Sequence, residues 1–141
     1  MIGVAALLAT GTGCSTIGEL GEGDLALLAQ DVQDVSREGT IFALAENPQW
    51  RVNVTLVRDQ LNLLAANEVI TTDSVLKIVQ GLPLKELQST EARLSITTVR
   101  ITLRRAGRNV EIGNIKSIRP IVIGMATGIT EGLAHPLSPH P

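Results

Sequence analysis

Apolar residues recur along most of this chain at intervals of three and four, the spacing that places them on one side of an α-helix. The first such stripe is Leu25, Leu28, Val32, Val35, Gly39 and Phe42, with Gln30, Asp31, Asp34, Arg37 and Glu38 mostly on the other side. Asp24 is the expected N-cap. Gly39 weakens a helix by about 1 kcal/mol relative to alanine, so its place in the stripe points to a neighbouring helix that comes close. Asn47-Pro48 then restarts the chain, with proline at a first helical position. The second stripe is Trp50, Val54, Val57, Leu61 and Leu64, widened by Leu56 and Leu63. Two stripes joined at one proline predict an antiparallel helix pair. Trp50 is expected to anchor the core at their corner, where its indole N–H needs an acceptor. Thr71 or Thr72 caps a short third helix carrying Val75, Leu76 and Val79, which Gly81 ends. Leu82-Pro83-Leu84 begins the next segment.

Residues 92–105 fit two periodicities. Ala92, Ile96, Val99, Leu103 and Ala106 make a helical stripe that Gly107 would close. Val99 to Arg104, however, alternates apolar and polar, and six of the ten residues from Leu94 to Leu103 are β-branched. The helix is favoured because a lone two-stranded ribbon is marginal in water. A β-hairpin within residues 94–113, turning at Ala106 to Asn109, is the alternative. Residues 110–117 read as a connection. A last helix runs from Pro120 to about Ala134, and three prolines follow in a frayed tail.

That last helix carries Gly124, Gly128 and Gly132 four apart, nearly along one face, beside Ile121, Met125 and Ile129. Three helical glycines cost about 3 kcal/mol against alanine, so something must offset them. Close packing on another helix of the chain is the first expectation. Self-association through this face, making a homo-oligomer, is the second, and shallow membrane insertion the third. The fold class predicted is all-α, a small bundle of four to five helices. Its organisation is a signal or anchor segment at 1–14, a flexible tether at 15–23, one helical domain at 24–134 and a disordered tail at 135–141.

The N-terminal segment differs from the rest. Ile2 to Ala9 is an unbroken apolar run, too short to span a bilayer, which takes about 20 residues. Thr10-Gly11-Thr12-Gly13 leads from it to Cys14, the only cysteine, and Ser15-Thr16 follows. The segment resembles the signal peptide and lipobox of a bacterial lipoprotein, in which a small residue precedes a cysteine that becomes the cleaved, diacylglycerol-bearing N-terminus. Gly13 and Cys14 match that pattern; Gly11 stands where the family has leucine, and no basic residue lies between Met1 and the apolar run. The resemblance implies a lipid attachment at Cys14 and a membrane-anchored protein of the bacterial envelope, facing the periplasm. The reading from the residues alone is a short buried helix with an inert thiol. Asn47-Pro48-Gln49-Trp50-Arg51, Leu82 to Leu87 and Pro120 to Leu133 are faintly similar to small uncharacterised lipoproteins of phages and prophages, a group with no catalytic residues to carry over.

Composition narrows the chemistry. Of 141 residues, 44% are hydrophobic but only Phe42 and Trp50 are aromatic. Stacking platforms for single-stranded nucleic acid or sugar are therefore not expected. One cysteine excludes an internal disulfide and a cysteine-based zinc site. His135 and His140 lie in the proline-rich tail, with no carboxylate nearby, so neither a catalytic pair nor a metal site is expected. Phosphate-binding glycine motifs are missing. No cofactor, enzyme activity or nucleic-acid partner is expected.

The net charge of −2 conceals an asymmetry. Residues 15–50 carry seven acids against Arg37; residues 93–119 carry seven cations against Glu111. Arg100, Arg104, Arg105 and Arg108 are candidate contacts for an anionic surface or a protein partner. The bland alternative is that the two segments face each other or are simply solvated. Two functions remain: a small non-enzymatic helical lipoprotein that binds a partner or supports envelope assembly, and a structural component of a phage virion with an unprocessed N-terminus.

Overall fold

The computed structural model describes residues 20–67 and 69–135. The helices are α1 (Glu22–Glu46), α2 (Arg51–Ala65), α3 (Thr72–Val79), α4 (Thr90–Glu111) and α5 (Arg119–Ala134). Short 3₁₀ turns at Pro48–Trp50 and Leu84–Glu86 connect them, and the described residues contain no strand. The protein is an all-α bundle.

α5 is the central element. Its glycines lie against the backbone of α1: a β-carbon on Gly124 would stand 2.6 Å from the Ala29 carbonyl oxygen, and one on Gly132 would stand 2.9 Å from that of Arg37. Between them, a β-carbon on Gly128 would overlap the Gln33 carbonyl oxygen. Both sets of residues advance by four in the same direction, so α1 and α5 run parallel with one glycine per turn facing one carbonyl per turn. Dispersion gained over this close approach offsets the poor helix propensity.

α2 packs on α5 from another side and scarcely touches α1, so the antiparallel α1–α2 pair expected from the sequence does not form. α5 takes the place between them, because its glycines admit α1 and its Ile121, Val122 and Met125 bury against the bundle. Two arginines fix the antiparallel setting of α2 and α5. Arg51, at the start of α2, donates to the Leu133 carbonyl near the end of α5. Arg119, at the start of α5, donates through Nε to the Ala65 carbonyl at 2.8 Å and through Nη2 to that of Asn67. Each cation thus meets carbonyls at, or just past, the C-terminal end of the other helix.

α4 runs antiparallel to α1. At one end the Glu46 carboxylate accepts the Gln88 and Ser89 N–H groups at 3.0 and 2.7 Å, and Ser89 Oγ in turn caps α4 by accepting the Ala92 N–H. In the middle, Gly39 faces the Ser95 side chain.

Several sequence expectations change here. Residues 94–113 do not form a hairpin: α4 is one helix through Glu111. Its Ser95 and Thr97 hydroxyls donate to carbonyls one turn back, which accommodates these residues in a helix. Ile101 faces solvent while Thr102 is buried, the reverse of what a strand alternation requires. Gly107 does not end the helix; it gives room to Thr72, whose hydroxyl donates to the Leu103 carbonyl at 3.3 Å. The stop is Gly113, at φ 85°, the left-handed position after the C-cap.

The fold also begins earlier than position 24. Leu20 is buried, α1 starts at Glu22, and Asp24 accepts the Gly21 N–H from the third helical position. Only the first part of the expected tether, up to residue 19, lies outside the described residues. So do the expected signal segment and residues 136–141 of the tail.

The core stripe of α1 shifts as well. Phe42 is 40% exposed, and Ser36, Thr40, Ala43 and Leu44 are buried in its stead. The face that meets the glycines of α5 must be small rather than apolar, so serine and threonine occupy it. Leu56 and Leu63 stay exposed because α2 is covered only on its Val54–Val57–Leu61 side.

Candidate functional site

The outward face of α4 is the clearest surface feature. Leu94, Thr97, Ile101, Arg104 and Arg108 follow at spacings of three and four, and all are exposed. Leu94 and Ile101 are 64% and 59% exposed, large apolar side chains set among cations. Arg93 is exposed at the first turn, and Arg105 is half-buried beside the stripe.

None of Arg93, Arg100, Arg104, Arg105 and Arg108 forms an ion pair with a described residue. The described ion pairs use Arg37, with Asp34 and Glu131, and Arg58, with Asp59. The acidic face of α1 therefore does not neutralise α4. The four candidate arginines also separate from one another. Arg104 and Arg108 reach solvent, whereas Arg105 has its Nε buried without an acceptor. Arg100 points to a different place: it is half-buried and lines a cavity inside the bundle. Arg119 leaves the cationic group altogether, since its guanidinium is spent on α2.

The C-terminal end of α4 is tied to the start of the described chain through Asn109. This side chain is fully buried. Its Oδ1 accepts the Leu20 N–H at 2.8 Å and an Asn114 Nδ2 hydrogen at 2.9 Å, while its Nδ2 donates to the Arg105 carbonyl at 2.8 Å. One asparagine thus joins the N-terminal lead, the last two turns of α4 and the loop after it. Nearby, Glu22 accepts the Lys116 N–H at 2.8 Å and fixes that loop to the first turn of α1. Periodicity does not reveal this hub, because a polar residue at position 109 reads as turn chemistry after Gly107.

Gly124, Gly128 and Gly132 lie beneath α1 and belong to the interior. Cys14 and His140 lie outside the described residues. Among the described residues, no three His, Cys, Asp or Glu side chains group to hold a metal ion, and no helix is long and apolar enough to cross a membrane. No family model matches the chain, and no curated protein or solved structure matches it either.

Proposed function

We propose that this protein is a small non-enzymatic lipoprotein, tethered to a bacterial membrane by a lipid on Cys14, whose helical domain meets an anionic partner surface through the outer face of α4. The observation that carries the proposal is the Leu20–Asn109 bond, which brings the chain into the fold beside Arg105 and Arg108. Leu20 is six steps along the chain from Cys14, a reach of about 20 Å at full extension. An anchor at Cys14 therefore keeps the cationic end of α4 within about 20 Å of the lipid surface. That tether also lets the arginines come within about 10 Å of the surface, where each contributes about 1 kcal/mol towards anionic headgroups. Exposed Leu94 and Ile101 suit the same face to a partly apolar contact.

The test is the anchor itself. Cys14→Ser should move the protein from the membrane fraction to the soluble fraction, and intact mass of the native protein should show a diacylated chain beginning at Cys14. An unmodified chain beginning at Met1 in assembled particles would instead support the structural role in a phage virion.

A further inference from the structure

α2 is apolar on two sides. Val54, Val57 and Leu61 bury in the bundle, while Val52, Leu56 and Leu63 are 71%, 53% and 72% exposed. At about 100° per residue, the exposed three fall within about 40° of one another, on the side away from the buried set. Positions 52, 56, 59 and 63 follow at four, three and four, the spacing of a coiled-coil seam, with Asp59 as its one charged member. The glycine face of α5, the first candidate for self-association, is occupied by α1, so this seam is the one left without a partner.

The chemistry around the seam selects what covers it. Its flanks are Asn53 and Gln60 on one side and Thr55 and Asn62 on the other. The charges of α2 are already matched: Arg58 pairs with Asp59 at 3.0 Å, and Arg51 donates to the Leu133 carbonyl. By contrast, the outer stripe of α4 carries Arg104 and Arg108, and the exposed side of α1 carries Asp31 and Glu38, so two copies of either face would repel. A face that meets its own copy across a two-fold axis meets the groups it presents. It must therefore be apolar or carry groups that both donate and accept, as amides and hydroxyls do.

We propose that two copies of this protein pair through α2, antiparallel, about a two-fold axis that passes between residues 57 and 58. Val52 then lies against the partner's Leu63, and Leu56 against the partner's Asp59, whose carboxylate keeps Arg58. Asn53 faces the partner's Gln60, and Thr55 the partner's Asn62. Each Arg58–Asp59 pair lies beside its copy in reversed order, so unlike charges are adjacent. α2 is 15 residues, about 22 Å, so the contact falls short of the about 1,200–2,000 Å² that stable complexes bury, and the dimer is weak. The pairing uses neither Cys14 nor the α4 face and stands whether or not the chain carries a lipid.

The test uses the full chain carrying Cys14→Ser, which removes both the native thiol and any lipid. Sedimentation equilibrium should show the mass rising with concentration from one chain towards two. Leu56→Glu with Leu63→Glu should weaken the dimer at least about 100-fold and leave the thermal midpoint of the monomer unchanged, since both side chains are exposed. Because the face is neutral, raising the salt should not weaken the pairing. Register is read by oxidation: a mixture of Val52→Cys and Leu63→Cys chains should cross-link between the two variants, whereas Val52→Cys alone should cross-link poorly. The proposal is overturned if the parent stays monomeric up to millimolar concentration or if the double glutamate variant associates as the parent does. Dissociation by salt would place the contact on the charged faces instead, and equal cross-linking of Val52→Cys alone would exclude the antiparallel pair.

Discussion

The backbone N–H of Leu20 donates to the side chain of Asn109 at 2.8 Å, across 89 positions of sequence and inside the protein. The bond matters because neither group has water as an alternative. Replacing Asn109 with leucine keeps the volume but strands the Leu20 N–H, whereas the Arg105 carbonyl keeps its helical partner and the exposed Asn114 amide can turn to water. A stranded buried donor costs about 1–3 kcal/mol. Asn109→Leu should therefore lower the unfolding free energy in urea by about 1–3 kcal/mol. It should also raise proteolytic cleavage just before α1 under native conditions. Stability within about 0.5 kcal/mol of the parent, the range of ordinary surface changes, would show that the hub is dispensable.

A contrast between two glycines checks the α1–α5 contact. Gly23 has open space where a β-carbon would stand, whereas at Gly128 a β-carbon would overlap the Gln33 carbonyl oxygen. Alanine at either position improves helix propensity, by up to about 1 kcal/mol. Gly23→Ala should thus be neutral or slightly stabilising. Gly128→Ala should destabilise by about 1–3 kcal/mol, because the carbonyl it meets belongs to a helix and cannot turn aside. The comparison reads out in the thermal midpoints of the two variants. Equal midpoints would mean that α1 and α5 do not approach as closely as the structure shows.

The same helices show what the sequence reveals and what it hides. Apolar spacing locates all five helices, since α1, α2, α4 and α5 each bury a recognisable stripe and α3 buries Val75 and Val79. The glycine spacing of α5 announces a close neighbour, although not which one. What stays hidden is partner choice. Ser36 and Thr40 are buried because glycines face them, and a polar residue opposite a glycine leaves no hydrophobic signature. Phe42 and Leu63 are apolar but uncovered, because the helix that would have covered them packs elsewhere. The Asn109 hub is invisible for a related reason: it joins distant parts of the chain through backbone groups, of Leu20 and Arg105, which every residue has. For the candidate surface, the sequence supplies the arginines, and only the fold separates the solvent-facing pair, Arg104 and Arg108, from Arg100 and Arg119.

Arg119 gives a third prediction. Its guanidinium donates to two carbonyls, of Ala65 and Asn67, from two different nitrogens. Lysine offers a single ammonium on a flexible stem and cannot serve both in fixed geometry. Arg119→Lys should lower stability by about 1 kcal/mol and Arg119→Met by about 2 kcal/mol, graded by the number of charge-assisted bonds lost. Amide exchange in the last turn of α2 should rise in the same order. A methionine variant as stable as the parent would mark these bonds as incidental.

The outer face of α4 can be separated from net charge by where charges are changed. Arg104 and Arg108 share the exposed stripe with Leu94 and Ile101, while Lys77 and Lys85 are exposed elsewhere. Changing either pair to glutamate alters the net charge equally. If the α4 face meets an anionic surface, Arg104→Glu with Arg108→Glu should weaken binding to phosphatidylglycerol vesicles by at least about 30-fold, from about 1 kcal/mol for each cation removed. Lys77→Glu with Lys85→Glu should weaken it by a few-fold at most, because at about 0.1 M salt a charge more than about 10 Å from the contact is screened. Raising the salt should erase most of the parent's advantage while leaving an apolar remainder from Leu94 and Ile101. Replacing Ile101 with serine should lower that remainder, at high salt, without changing stability, since Ile101 is already exposed in the fold. Equal weakening by the two double variants would reduce the face to a net-charge effect. No weakening by either would leave the arginines as solvated side chains with no surface to meet.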